Sequence, residues 1–255
     1  MVWGDYDAVL PIPYIRAKKF LFLKKIIQPI FCQQLGVFYN VENLEKSAFD
    51  PVLALFLSEL IKLHPKTYSF NANNTFVEKW KKENIVEKIN YELLLNTPYL
   101  DLYANYSKNT KRNTKKAAKY TLEIAKDISV AAYINMKEKN KKHPIKNKEY
   151  QIIKQLTTAI SKRKLGKFIG VRVAGELIAI AFFTKSNNRI IHLFSVSTQK
   201  GKEYAAPTFL FDTVIQEHAN TNYILDFEGS VLPGVARFFK GFGASENNYF
   251  LYKKT

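Results

Sequence analysis

From about residue 121 onward, apolar runs with the period of a strand alternate with stretches that have the period of a helix. Three runs follow one another closely: "KFIGVRVA" (167–174), "ELIAIAFFTKS" (176–186) and "RIIHLFSVST" (189–198). They are rich in β-branched and aromatic residues, and a Gly175 turn and an "SNN" turn separate them, so they predict three successive strands. Ahead of them "TLEIAKDI" predicts a strand, followed by helices near 130–141 and from about 148 to 164. Behind them the pattern predicts a helix over about 204–220, the strand "YILDF", a short helix over 231–240 and a last strand "NYFLYKK". The order is β-α-α-β-β-β-α-β-α-β.

The first hundred residues are less regular. "DYDAVLPIPYI" and "KKIIQPIFCQQLGVFYN" read as two adjacent strands, "PVLALFLSELIKLH" as a helix, and "KTYSFNA" and "INYELLLN" as two more strands. A chain of 255 residues with 47% hydrophobic content can bury a substantial core, in one large domain or two modest ones. A single cysteine, Cys32, leaves no intramolecular disulfide and no multi-cysteine metal pattern, and the four histidines show no ligand spacing, so no metal is expected. No apolar run reaches the length of a membrane span and the N-terminus does not read as a signal peptide, so the expected location is the cytoplasm.

Charge changes this picture locally. The net charge is +17, and residues 97–167 hold 18 basic against 5 acidic residues. Within them "YSKNTKRNTKKAAKY" carries Lys108, Lys111, Arg112, Lys115, Lys116 and Lys119, spaced so that a helix places all six along one face. Such a stripe is either a solvated helix face or a surface that meets phosphates of RNA, a phosphopantetheine carrier, a lipid pyrophosphate or a coenzyme. Nothing in it suggests base-specific reading, and no DNA partner is expected.

The element order of residues 121–255 resembles the GCN5-related N-acetyltransferase (GNAT) fold. "DFEGS" followed by "GVARFFKGFGA" looks like the closing strand and helix of the FemABX-type and related tandem acyltransferases, and the basic helix ahead of the domain is similar to theirs. The resemblance implies an α/β (α+β) fold with a GNAT-like mixed sheet and flanking helices, in tandem: a partial N-terminal copy over 1–97, a basic connecting helix over 98–120 and a complete C-terminal copy over 121–255. The first strand and two helices of the N-terminal copy are missing, so the true start is expected upstream of the given one.

That resemblance also implies where chemistry occurs. The strand before the long helix splays from its neighbour to receive the donor's carbonyl, which puts the groove near Ser195, Val196, Ser197 and Thr198. Coenzyme-A users place the pyrophosphate at the next helix start; here Gln199, Gly201 and Lys202 occur with shortened spacing, which weakens acetyl-coenzyme A as donor. A tyrosine expected on the last helix is replaced by Phe239, which cannot donate a proton. Tyr204 lies at the expected start of the long helix; Arg237 and Lys240 follow the acidic strand end.

Alternation puts Asp226 and Glu228 on one strand face, where two close carboxylates raise one pKa and suit a base for an attacking ammonium. The other reading is that Asp226 braces the sheet end and Glu228 pairs with Arg237. His192, in mid-strand, reads as structural, and His64, His143 and His218 are scattered. Two functions remain open. One is an N-acyltransferase moving an acyl or aminoacyl group from acyl-coenzyme A, acyl carrier protein or aminoacyl-tRNA to a primary amine, with no cofactor beyond that cosubstrate. The other is a non-catalytic tandem domain holding an anionic partner, such as tRNA or a carrier protein, on its basic helix.

Overall fold

The computed structural model describes residues 1–17, 20–40, 46–63, 65, 67–70, 85–140, 147–228 and 232–253. The expectations for His64, His143 and the end of "KTYSFNA" lie outside these residues. The chain divides into two units, Met1–Ile89 with Asn248–Thr255, and Asn90–Asn247.

In the first unit, β1 (Val2–Trp3), β2 (Ala8–Val9), β3 (Tyr14–Ala17), β4 (Phe20–Ile26) and β5 (Phe38–Tyr39) form two small sheets, ordered β1-β2-β5 and β3-β4. The stretch read as one strand over "DYDAVLPIPYI" is thus two, because Pro11 and Pro13 cannot donate to a ladder. Helix α1 (Lys46–Lys62) presents Leu53, Phe56, Leu57 and Leu60, at the i, i+3, i+4, i+7 spacing of a buried helix face. This face meets Tyr68 and Phe70 of β6 (Thr67–Phe70). Beside β6, and antiparallel to both it and β7 (Ile85–Lys88), lies the chain's last strand, β15 (Tyr249–Lys253). The segment expected to close the C-terminal domain belongs to this sheet instead, because alternation turns its Phe250 and Tyr252 into the α1 core.

The second unit is built on a seven-stranded sheet. Its strands are β8 (Tyr91–Leu94), β9 (Leu122–Ala125), β10 (Gly166–Val173), β11 (Glu176–Ser186), β12 (Arg189–Ser197), β13 (Ile224–Asp226) and β14 (Ser245–Glu246), in the order β14-β8-β13-β12-β11-β10-β9. Only β12 and β13 are parallel; every other neighbouring pair in this sheet is antiparallel. β8, the "INYELLLN" strand assigned above to the N-terminal half, occupies the open edge of β13 and buries Tyr91 and Leu93 in the second unit's core.

The basic region is two helices, α2 (Tyr99–Ala104) and α3 (Lys108–Ala117), and belongs to this unit instead of linking two domains. Ser107 separates them, because its hydroxyl accepts the Thr110 amide at 3.2 Å and so caps α3. Helices α4 (Val130–Lys139) and α5 (Asn147–Lys162) lead into β10. After β12 come α6 (Gln199–Glu203), α7 (Ala206–His218) and, past β13, α8 (Pro233–Lys240). One sheet face packs on Leu210, Phe211 and Val214 of α7 and Phe239 of α8; on the other, Phe168, Phe182 and Phe194 surround Tyr133 of α4. No helix among the described residues is long and apolar enough to cross a membrane.

Three strands are held in register by a polar network where β12 begins and β13 ends. The Arg189 guanidinium of β12 donates to Glu92 of β8 through both nitrogens and to Asp226 of β13 at 3.0 Å. Asn90 adds a 2.9 Å bond to Asp226. Arg189→Met keeps side-chain length but strips the cation from two carboxylates. We expect it to cost about 3 kcal/mol in urea denaturation, as breaking a buried ion pair does. A loss under about 0.5 kcal/mol, typical of exposed pairs, would show that the network does not hold the strands.

Candidate active site

The parallel ladder between β12 and β13 is short. It joins Arg189 to Ile224, Ile190 to Leu225 and Ile191 to Asp226, and then stops while β12 continues to Ser197. On its other side β12 carries a bulge against β11, since Phe182 pairs with Phe194 but Phe183 pairs with His192, which leaves Leu193 as an extra residue. The bulge changes which residues face which layer. His192 points to Phe211 and Phe239, Phe194 points to the opposite face, and Ser195 and Ser197 line a cavity on the α7–α8 side.

The cavity measures about 450 Å³. Ala179 and Ala181 of β11, Phe211 of α7 and Val235 and Phe239 of α8 give it an apolar wall, and Lys137, Lys202 and Asn113 supply polar groups. Of the groove residues read from the sequence, Ser195, Val196, Ser197 and Lys202 lie in this wall. The others do not. Thr198 caps α6 by accepting the Gly201 amide at 3.0 Å, and Gly201 is a glycine because a Cβ there would sit 2.2 Å from the Ile178 carbonyl oxygen. Gln199 donates to Glu203 at 3.1 Å, and the Tyr204 ring is stacked on Tyr120 at 3.8 Å. Arg237 and Lys240 are exposed in the last turn of α8, Lys240 lying 3.6 Å from Glu246. Asn113, Lys137 and Asn140 carried no signal in the sequence, because they reach the wall from helices distant in the chain.

The two acids differ. Asp226 is buried, and its oxygens accept from Asn90, Arg189 and the Glu228 amide at 3.1 Å, an Asx turn that closes the strand. Burial raises its pKa, against the hydrogen bond from Asn90. Glu228 stands just beyond the strand with φ of 41°, a left-handed backbone that non-glycine residues rarely adopt. Burial, and then the neighbouring Asp226 charge, push its carboxyl up to about 8. Neither acid lies in the cavity wall among the described residues.

His192 is buried among Phe183, Phe211 and Phe239, with Nδ1 3.1 Å from the Phe227 carbonyl oxygen. Burial lowers its pKa to about 4, so it is neutral near pH 7. Asp212 of α7 accepts from the hydroxyls of Tyr99 at 3.0 Å and Tyr106 at 2.9 Å, which ties α7 to α2 and the loop after it.

The basic stripe forms one surface. Lys108, Lys111, Arg112, Lys115, Lys116 and Lys119, with Tyr120, line a groove of about 740 Å³. Thr110 and Ala117 face inward, so the cations project from the outer side of α3. Lys111 donates to the Ala104 carbonyl at 2.7 Å and Arg112 to Asn109 at 2.6 Å.

The raised pKa of Glu228 has a consequence for stability. An acid whose folded pKa exceeds its ordinary value of 4.5 stabilises the fold while protonated, an effect fully present below about 4.5 and lost as pH rises through about 8. The melting temperature is expected to fall between pH 6 and 9, and to fall less in Glu228→Gln, which cannot ionise. Parallel slopes for the two proteins would mean that another group titrates.

No family model matches the sequence, and no curated protein matches it. Solved structures do. FemX is similar over 98% of this chain and 86% of that one, with 8% identity and a TM-score of 0.65. A conserved protein of unknown function from Bacteroides thetaiotaomicron VPI-5482 is similar over 80% of this chain and 75% of its own, with 10% identity and a TM-score of 0.53. The C-terminal domain of a protein named as a lysylphosphatidylglycerol synthetase, from Agrobacterium fabrum, covers 81% of this chain and 73% of its own at 10% identity, with a TM-score of 0.50. The chain therefore shares the mixed α/β fold of FemX.

Proposed function

We propose that this chain is an acyltransferase that moves an acyl group from an activated donor to a primary amine. The observation that carries the proposal is the end of the β12–β13 ladder after Ile191, beside a 450 Å³ cavity whose wall includes Ser195 and Ser197. A sheet that opens in this way exposes backbone amides of β12 at its edge, and such amides can stabilise the oxyanion formed when an amine attacks a carbonyl.

In the reaction, the amine nitrogen attacks the carbonyl carbon of a thioester or ester. The C–N bond forms, the C–S or C–O bond breaks, one ammonium proton passes to a base and the leaving thiolate or alkoxide takes a proton. We assign the base to Glu228, which follows β13 where the ladder stops and whose pKa near 8 suits proton transfer close to neutral pH. Asp226 is a positioning residue: its oxygens are engaged by Arg189, Asn90 and the Glu228 amide. The α3 groove attracts the phosphates of the donor or of its carrier. The donor classes considered are acyl-coenzyme A, acyl carrier protein and aminoacyl-tRNA.

Single-turnover transfer and calorimetric titration against these donors test the assignment. Glu228→Gln should lower turnover of bound donor by about 10²-fold with little change in affinity. Joint replacement of Lys111, Arg112, Lys115 and Lys116 by Ala should weaken donor binding and flatten its salt dependence while leaving turnover at saturation intact. Donor binding without transfer to any amine would favour the second reading, a non-catalytic domain that holds an anionic partner on α3; binding of none would remove the transferase assignment.

A further inference from the structure

Among the described residues, no acid lines the 450 Å³ cavity. Among its described lining residues the charged side chains are Lys137 and Lys202, both cations, and the rest of the wall is mostly apolar. Asp212 is engaged by two tyrosine hydroxyls and Asp226 by Arg189 and Asn90, and Glu228 follows β13 outside the cavity lining. An aminoacyl group carries an ammonium next to its carbonyl carbon. Placed here, that ammonium would lose water without gaining a carboxylate and would share the cavity with two like charges, which is unfavourable. An uncharged aliphatic chain meets Ala179, Ala181, Val235, Phe211 and Phe239 with no such penalty.

Building on the transferase reading, we propose that the donor carries an uncharged aliphatic acyl group longer than acetyl, and that aminoacyl groups are excluded because the charged side chains of the cavity wall, Lys137 and Lys202, are both cations. Lys202 is exposed, whereas Lys137 is half-buried, and burial lowers the pKa of Lys137. Gly234 lines the cavity from an exposed position, and a Cβ built on it meets nothing within 4 Å, so a larger side chain can be placed there without a clash.

Butanoyl and 2-aminobutanoyl thioesters differ by the ammonium alone and make a matched pair. Each is presented to the full chain on coenzyme A and on pantetheine, alongside acetyl and hexanoyl thioesters, and binding is read by calorimetry. We expect butanoyl to bind at least about tenfold more tightly than 2-aminobutanoyl, the cost of an unpaired buried charge. Hexanoyl should exceed acetyl by about tenfold or more, since each buried methylene contributes roughly fourfold. Gly234→Leu fills the space beside α8 and should reduce the hexanoyl-to-acetyl ratio. If 2-aminobutanoyl binds as tightly as butanoyl, or hexanoyl no better than acetyl, this inference is overturned while the transferase reading stands. If no thioester binds on either carrier, this inference falls, and the transferase reading falls with it only if acyl carrier protein and aminoacyl-tRNA also fail to bind.

Discussion

A strand that alternates strictly offers one set of residues to each layer, and β12 must satisfy two layers with different demands. Ile190 and His192 belong against α7 and α8, whereas Phe194 belongs with Tyr133, Phe168 and Phe182 on the opposite face. The extra residue Leu193 resolves the conflict by shifting the pattern by one position. The same shift sends two small hydroxyl residues, Ser195 and Ser197, to the cavity in place of bulky apolar ones. Without it, Phe194 would fall on the side now occupied by the cavity. The open site is therefore a by-product of how β12 reconciles two cores.

The other determinant is the brevity of β13. Its ladder with β12 spans three residue pairs, and the Asx turn at Asp226 then redirects the chain. The Arg189 network makes such a short strand tenable, because it binds β12, β13 and β8 through one guanidinium. Charged groups in a sheet interior are costly unless paired, and here each is. Asp226 is thus committed to the fold.

Charge is partitioned by location. Acids near the core are bound to tyrosines, asparagine and arginine, while the cations of α3 project from its outer side. The protein thereby offers anions an attractive surface beside a mostly apolar cavity whose charged wall residues, Lys137 and Lys202, are cations. Phe239, where the family resemblance implies a tyrosine, lines the cavity and stacks on Phe227 at 4.7 Å.

The sequence by itself determined whatever rests on neighbours in the chain. The bounds of β11 follow from an unbroken apolar run between two turns, and the grouping of Lys108, Lys111, Arg112, Lys115 and Lys116 on one side of α3 from helical spacing alone. Tertiary structure decided the pairings. An alternating strand such as β8 or β15 fits any open sheet edge, so which sheet each joins depends on the edge left vacant and on the core that accepts its apolar face. It also decided which acid is consumed, since Asp226 and Glu228 are alike in the sequence until Arg189 and Asn90 arrive from distant segments. The bulge at Leu193 was invisible for the same reason: an apolar residue inside an apolar run becomes an extra one only when two separate cores must be filled at once.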